Sequence, residues 1–249
     1  MQEIDALSAG KWILAYVTSV IVGISKTGLP ALGIILAPLF AEVLPARAST
    51  GALLPLLIAA DAFAVIFWRR HGSWKHLVRL LPWAVVGIVA GYFAMGRIND
   101  QQMRYVMGAI VVVMLGVNVY REYVMGKDAP IPTSWWFAAI AGFLAGATTM
   151  VANAAGPVTM IYLLSMRLPK KEFIGTAAWY FFILNWLKVP FSISLGLITI
   201  PSLGFDALLA PAVIAGAFAG LYFAKGIPEK AFMIAVQALT FLSAVRMFV

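Results

Sequence analysis

The chain contains no cysteine and only two histidines among its 249 residues, and just 11% of it is charged. The absent thiols exclude disulfide scaffolds, cysteine nucleophiles, iron–sulfur clusters and thiolate zinc sites. With imidazole confined to His71 and His76, histidine metal clusters are ruled out in practice, and no metal or cofactor is expected. What fills the space is apolar: 63% of residues are hydrophobic and mean hydropathy is +0.94, against roughly 45–50% apolar in soluble domains. The composition predicts an all-α polytopic membrane protein whose first partner is the lipid bilayer. The 18 Lys+Arg exceed the 10 Asp+Glu, but these charges lie between apolar runs and read as topology signals, so no nucleic-acid partner is expected. Glu3 and Asp5 stand where a signal peptide would carry positive charge, so the first segment is expected to be retained.

A hydrocarbon core about 30 Å thick takes about 20 helical residues. Runs of that order predict spans at 49–68, 80–97, 104–122, 172–195, 206–224 and 230–247. Two further runs, 12–41 and 129–166, are too long for one crossing, since at 1.5 Å per residue even the shorter would extend roughly 45 Å. Each holds a break. The first reads Ser25-Lys26-Thr27-Gly28-Leu29-Pro30 and the second Asn153-Ala154-Ala155-Gly156-Pro157; glycine frees the backbone and proline suits the start of a new helix. Both are expected to be re-entrant broken-helix hairpins, at 12–44 and 134–168.

The chain also repeats itself. Pro82, Gly87 and Gly91 recur as Pro211, Gly216 and Gly220, each 129 residues on; Gly51 recurs as Gly175 and Asp61 becomes Asn185 at an offset of 124; Gly23 and Gly33 recur as Gly146 and Gly156 at 123. Two repeats follow, 1–124 and 125–249, each a hairpin plus three spans. Charge predicts that they are inverted. The segment 69–79 carries Arg69, Arg70, Lys75 and Arg79, whereas its equivalent 196–205 carries no basic residue; Arg167, Lys170 and Lys171 face only Arg47 in the first repeat. The basic member of each pair belongs on the cytoplasmic side. Both termini are then expected outside, and the loop around Arg97 and Arg104 runs against the rule.

Irregular backbone at membrane depth must line a cavity or be buried in protein. In an inverted pair the two tips would meet near the midplane and aim free N–H groups and positive helix ends at one point, which binds anions. The expected substrate-binding set is Ser25, Lys26, Thr27 and Gly28 from the first tip, and Thr149, Asn153, Gly156 and Pro157 from the second. Asn185 and Lys188, which share a helix face, complete it. Lys26 is expected to supply a counter-charge to the guest; the competing reading has it snorkel to an interface. Lys188 would neutralise the anion or pair with Asp61. Asp61 falls mid-span, where a carboxylate costs about 2.5–3.5 kcal/mol to insert, and is expected to couple ion movement to transport. His71 and His76 read as solvated residues of the basic loop, Trp135 and Trp136 as interfacial anchors. The glycine pairs Gly87/Gly91 and Gly216/Gly220 read as helix-packing faces that also permit a homodimer.

The motifs Gly23-Ile24-Ser25-Lys26-Thr27-Gly28, Ala154-Ala155-Gly156-Pro157 followed by Ile161-Tyr162-Leu163-Leu164, and Leu168-Pro169-Lys170 with Phe173-Ile174-Gly175-Thr176 together resemble the sulfite exporter TauE/SafE family of membrane permeases. The resemblance spans nearly the whole chain. It implies secondary transport of sulfite or a related sulfur oxyanion or organosulfonate across the bacterial cytoplasmic membrane, usually as export, with a substrate role for the tip residues. The chain departs from relatives in reading Leu29-Pro30 where a glycine pair is common, and Asn153 where histidine is common. Uptake of a small carboxylate or sulfonate, or an uncoupled anion channel, is the alternative. An intramembrane enzyme is disfavoured: neither break offers a cysteine, a histidine or a carboxylate pair.

Overall fold

The apolar runs are helical wherever the chain is described. The computed structural model describes residues 7–95, 97, 134–228, 231, 234 and 238, and among them are eight α-helices and no strand. These are α1 Ala9–Thr27, α2 Leu36–Val43, α3 Ala46–Trp68, α4 Trp74–Met95, α5 Trp135–Ala152, α6 Gly156–Ser165, α7 Lys170–Ser194 and α8 Ile200–Gly226. Short 3₁₀ turns occupy Pro30–Ile35 and Arg69–His71. By length and composition, three stretches are long and apolar enough to cross a membrane, Ala48–His71, Trp74–Met95 and Ile200–Gly226. The predicted span 104–122 and most of 230–247 lie outside the described residues.

Several helices start earlier than hydropathy predicts. α4 begins at Trp74, so Lys75, His76 and Arg79 belong to its first turns rather than to a loop; its opening amides, those of His76 and Leu77, bond to the Ser73 carbonyl. α8 begins at Ile200, where the Thr199 hydroxyl accepts from the Ser202 amide in a reciprocal capping box. Hydropathy registers the hydrocarbon-matching part of a helix, whereas capping and polar first turns carry the helix beyond it.

Both breaks form, with unequal arms. α1 has 19 residues and α5 has 18, roughly 28 Å each and close to the thickness of the hydrocarbon core, while the arms that follow are short. α5 ends at Asn153, held in the left-handed region at φ 53°, from which the Ala154 amide reaches back to the Thr148 carbonyl. That conformation is tolerated by Asn better than by most residues. α6 then starts at once, with Pro157 in its first turn. The first break differs from expectation: the chain leaves α1 at Thr27 and restarts at Pro30 as a 3₁₀ turn, becoming α-helical only at Leu36.

Packing exchanges helices between the repeats. α1 lies along α8, α4 along α5, and α3 along α7. Two buried clusters result, one from α1, α2, α3 and α8, the other chiefly from α4, α5, α6 and α7. Each repeat thus lends its last described helix to the other's core. The glycine contacts correspond residue for residue. A Cβ on Gly216 would strike the Val20 carbonyl and one on Gly87 the Phe143 carbonyl; a Cβ on Gly23 would strike Val213 and one on Gly146 would strike Ala84. Val20 and Phe143, like Ala84 and Val213, are repeat mates at the offsets of 123 and 129. Gly51 against Leu197 and Gly175 against His71 form a third such set. Only glycine lets these backbones touch.

Candidate substrate site

The two breaks open onto one cavity. Ser25, Lys26, Pro30 and Gly33 line it from the first, Thr149, Asn153, Ala155 and Gly156 from the second, and Asp61, Ala177, Phe181 and Asn185 from α3 and α7. The 3₁₀ turn of the first break packs directly on α6 of the second. The cavity measures about 30 Å³, enough for about two waters or a compact guest.

Its polar groups form two clusters, each tying a broken segment to the long helix of the same repeat. In the first repeat, Lys26 Nζ at the end of α1 lies 2.8 Å from Asp61 Oδ1 on α3. In the second, Lys188 Nζ on α7 donates to the Thr149 carbonyl and hydroxyl at the end of α5, both at 3.1 Å, and to Asn153 Oδ1. The Asn153 amide nitrogen donates in turn to the Thr50 carbonyl at 2.9 Å. A single bond joins the clusters: Asn185 Nδ2 donates to Asp61 Oδ2 at 2.6 Å. Asp61 and Asn185 occupy matching positions 124 residues apart in the sequence. Asp61 is wholly buried and Lys188 is 1% exposed. Lys26 also lies over the Phe181 ring, 4.3 Å from its centre, a placement that favours a cation. Two lysine side chains thus stand near one carboxyl group, and the Gly156 end of α6 adds the positive end of a helix dipole.

Of the residues expected at the site, Ser25, Lys26, Thr149, Asn153, Gly156, Asn185 and Asp61 line the cavity together. Ser25 is buried, its hydroxyl donating to the Val22 carbonyl at 2.9 Å. Lys188 stands behind the lining and reaches it through Thr149 and Asn153. Three expected residues lie elsewhere. The Thr27 hydroxyl donates to the Ala217 carbonyl at 2.7 Å, and its own carbonyl accepts from the Trp68 indole, so it locks α1 to α8 and α3. Gly28 lies against the backbone of Gly220, where it serves close helix approach. Pro157 is buried within α6, away from the lining. α1 carries Ser25 and Lys26 to the cavity, but its next residues face a different neighbour.

Lys26 is committed to Asp61 rather than standing free as a counter-charge, and Lys188 is tied to the second tip rather than to Asp61. The histidines divide: His76 is a buried α4 residue, 9% exposed with Nδ1 3.1 Å from the Tyr162 hydroxyl, whereas His71 stays in the turn between α3 and α4, half-buried and edge-on to Trp68. The α7 wall of Ala177, Ala178 and Phe181 was not foreseen, although these residues precede Asn185 at helical spacing and share its face.

The model of the sulfite exporter TauE/SafE family matches residues 14–247. No curated protein and no solved structure matches the chain. A match over nearly the full length, on a helical fold whose broken segments enclose a buried polar site, settles the kinship: the chain belongs to the sulfite exporter TauE/SafE family of membrane permeases.

Proposed function

We propose that the protein is a proton-linked secondary transporter of sulfite or a related small sulfur oxyanion, working by alternating access around the cavity between the two breaks. The observation that carries this reading is the buried Lys26–Asp61 pair on the cavity wall, with a second lysine, Lys188, behind the opposite wall. A buried site flanked by two lysines calls for an anion. A pyramidal or tetrahedral oxyanion uses several convergent donors at once, and the Thr149 hydroxyl, the second amide hydrogen of Asn153 and the first turn of α6 supply them. In this reading Asp61 competes with the guest for Lys26. Protonating Asp61 frees the ammonium, so one proton enters with each anion and both leave together. Flow follows their summed gradients, and a cytoplasmic excess of the anion drives export.

The reciprocal glycine contacts, together with the lopsided basic segments, support an inverted arrangement of the repeats in the bacterial cytoplasmic membrane. The test is a thermal-shift series on the purified protein with sulfite, sulfate, thiosulfate, a short sulfonate and a short carboxylate. Sulfite or a close relative should raise the melting temperature, more so at acid pH, as a ligand that binds the folded state must. Lys26→Met should abolish the shift. A shift by carboxylate alone would replace the substrate class, and concentrative uptake into liposomes separates coupled transport from an anion channel.

A further inference from the structure

The Lys188 side chain ends wholly within the second break. Its Nζ meets three oxygens there, the Thr149 carbonyl and hydroxyl at 3.1 Å each and Asn153 Oδ1. The carbonyl and Oδ1 can only accept, so Nζ donates to both; as an ammonium it has a third hydrogen for the Thr149 hydroxyl oxygen and none beyond that. Nothing is left for a guest, and Lys188 stands behind the cavity wall rather than in it. Its effect on a guest has to pass through the two residues it grips, both of which line the cavity.

That grip fixes which way each of them faces. Thr18, Ser19, Ser25, Thr27 and Thr148 each give their hydroxyl hydrogen to a carbonyl three or four residues back on their own helix, the usual resting place of a helical hydroxyl. Thr149 makes no such bond. Among the described residues Lys188 is the one partner of its hydroxyl and takes up the oxygen, so the hydrogen is unspent. Asn153 is pinned at both ends of its carboxamide, Oδ1 accepting from Lys188 and Nδ2 donating to the Thr50 carbonyl at 2.9 Å. Turning the amide over would set donor against donor and acceptor against acceptor, so the oxygen stays on Lys188 and the second N–H is left unpaired. The first repeat has no counterpart: the mate of Lys188 is Ala64, and those of Thr149 and Asn153 are Lys26 and Pro30. There the lysine sits on the wall itself; here it lies one layer back, and neutral groups occupy the wall.

We propose that Lys188 is a positioning residue that turns the second break into a wall of hydrogen-bond donors: by taking the oxygens of Thr149 and Asn153, it leaves their hydrogens to the guest. This rests on the anion-transport reading above and sharpens it. A threonine hydroxyl and a carboxamide can by themselves accept from a guest as readily as donate to it. With their oxygens occupied, they favour a guest that presents bare oxyanion oxygens over one that presents hydroxyl or amine hydrogens.

The test is a double-mutant cycle on the purified protein in detergent, with sulfite affinity read from the ligand dependence of thermal unfolding; sulfate is the probe where sulfite gives no shift. Lys188→Met leaves the Thr149 carbonyl its bond from the Asn153 amide, so the backbone of the break keeps its partner. It should weaken binding at least about tenfold in the wild-type background and no more than about threefold in a Thr149→Val background, where one of the two groups it orients is already gone. A residue acting through its charge alone would lose the same factor in both backgrounds, and that result would overturn the positioning role. Asn153→Asp gives a reading that does not need Lys188→Met to fold. It keeps an oxygen on Lys188 but replaces the amide donor with an acceptor, and should weaken binding at least about tenfold; undiminished affinity would also overturn the proposal. Both of these results leave anion transport standing, whereas wild-type protein that responds to neither anion overturns the anion reading and the positioning role together.

Discussion

The two repeats agree in where their backbones touch and disagree in what their polar side chains do. Gly23 and Gly146, Gly87 and Gly216, and Gly51 and Gly175 make equivalent contacts. At the cavity the chemistry is divided instead. The first repeat puts its cation on the broken segment, Lys26, and its acceptor on the long helix, Asp61; the second puts its cation on the long helix, Lys188, and its acceptors on the broken segment. Lys26 and Thr149 are repeat mates, as are Ala64 and Lys188. Symmetry is kept wherever packing demands it and broken where charge is needed, so the departures from the repeat are the guide to function. Each broken segment therefore presents the cavity with a different set of partners.

The sharpest way to break this comparison is at its centre. Asp61→Ala should strand Lys26 in a buried site and lower stability by about 3–5 kcal/mol, whereas adding Lys26→Met should recover most of that loss. The mate substitution, Asn185→Ala, removes one neutral donor and should cost only about 1–2 kcal/mol. Equal losses from Asp61→Ala and Asn185→Ala, read by thermal unfolding in detergent, would show that the chemical asymmetry has no energetic weight. Next comes the scaffold. Gly23→Val and Gly146→Val each force a side chain into the facing helix, and both should lose about 1–3 kcal/mol; a large loss in one and none in the other would contradict equivalent packing. The smallest effect is expected at Asp206. It is buried in α8 with neither carboxylate oxygen bonded, at the position where the first repeat has the fully buried Leu77. Asp206→Leu should raise stability by about 1–2 kcal/mol, because an unpaired buried polar group is removed.

Much of the architecture was legible because it rests on features that show in one dimension. The overlong apolar runs required breaks, and glycine with proline marked where; the recurring glycines announced the close helix contacts. The contact between Asp61 and Asn185 was not foreseen; the sequence suggested Lys188 as the partner of Asp61, whereas Asn185 is the residue that donates to it. Partner choice was not legible. Thr27 and Lys26 are adjacent in sequence, yet on a helix they are about 100° apart, and one turns to α8 while the other turns to Asp61. Nor could hydropathy tell that Pro30 opens a 3₁₀ turn where Gly156 opens an α-helix. The contact of Tyr162 with His76 was equally hidden, since the two lie on helices 86 residues apart in sequence.

The interlocking of α8 with α1 and of α4 with α5 bears on how the molecule can be taken apart. Severed in the stretch between the repeats, the polypeptide would yield two fragments, each missing a wall of its own interior and each holding a wall of its sibling's. Neither piece should be stable alone, and the pair made together in one cell should reassemble. Under the proposed alternating access, the bodies that move against each other would be not the two sequence halves but two mosaics, each stitched from both.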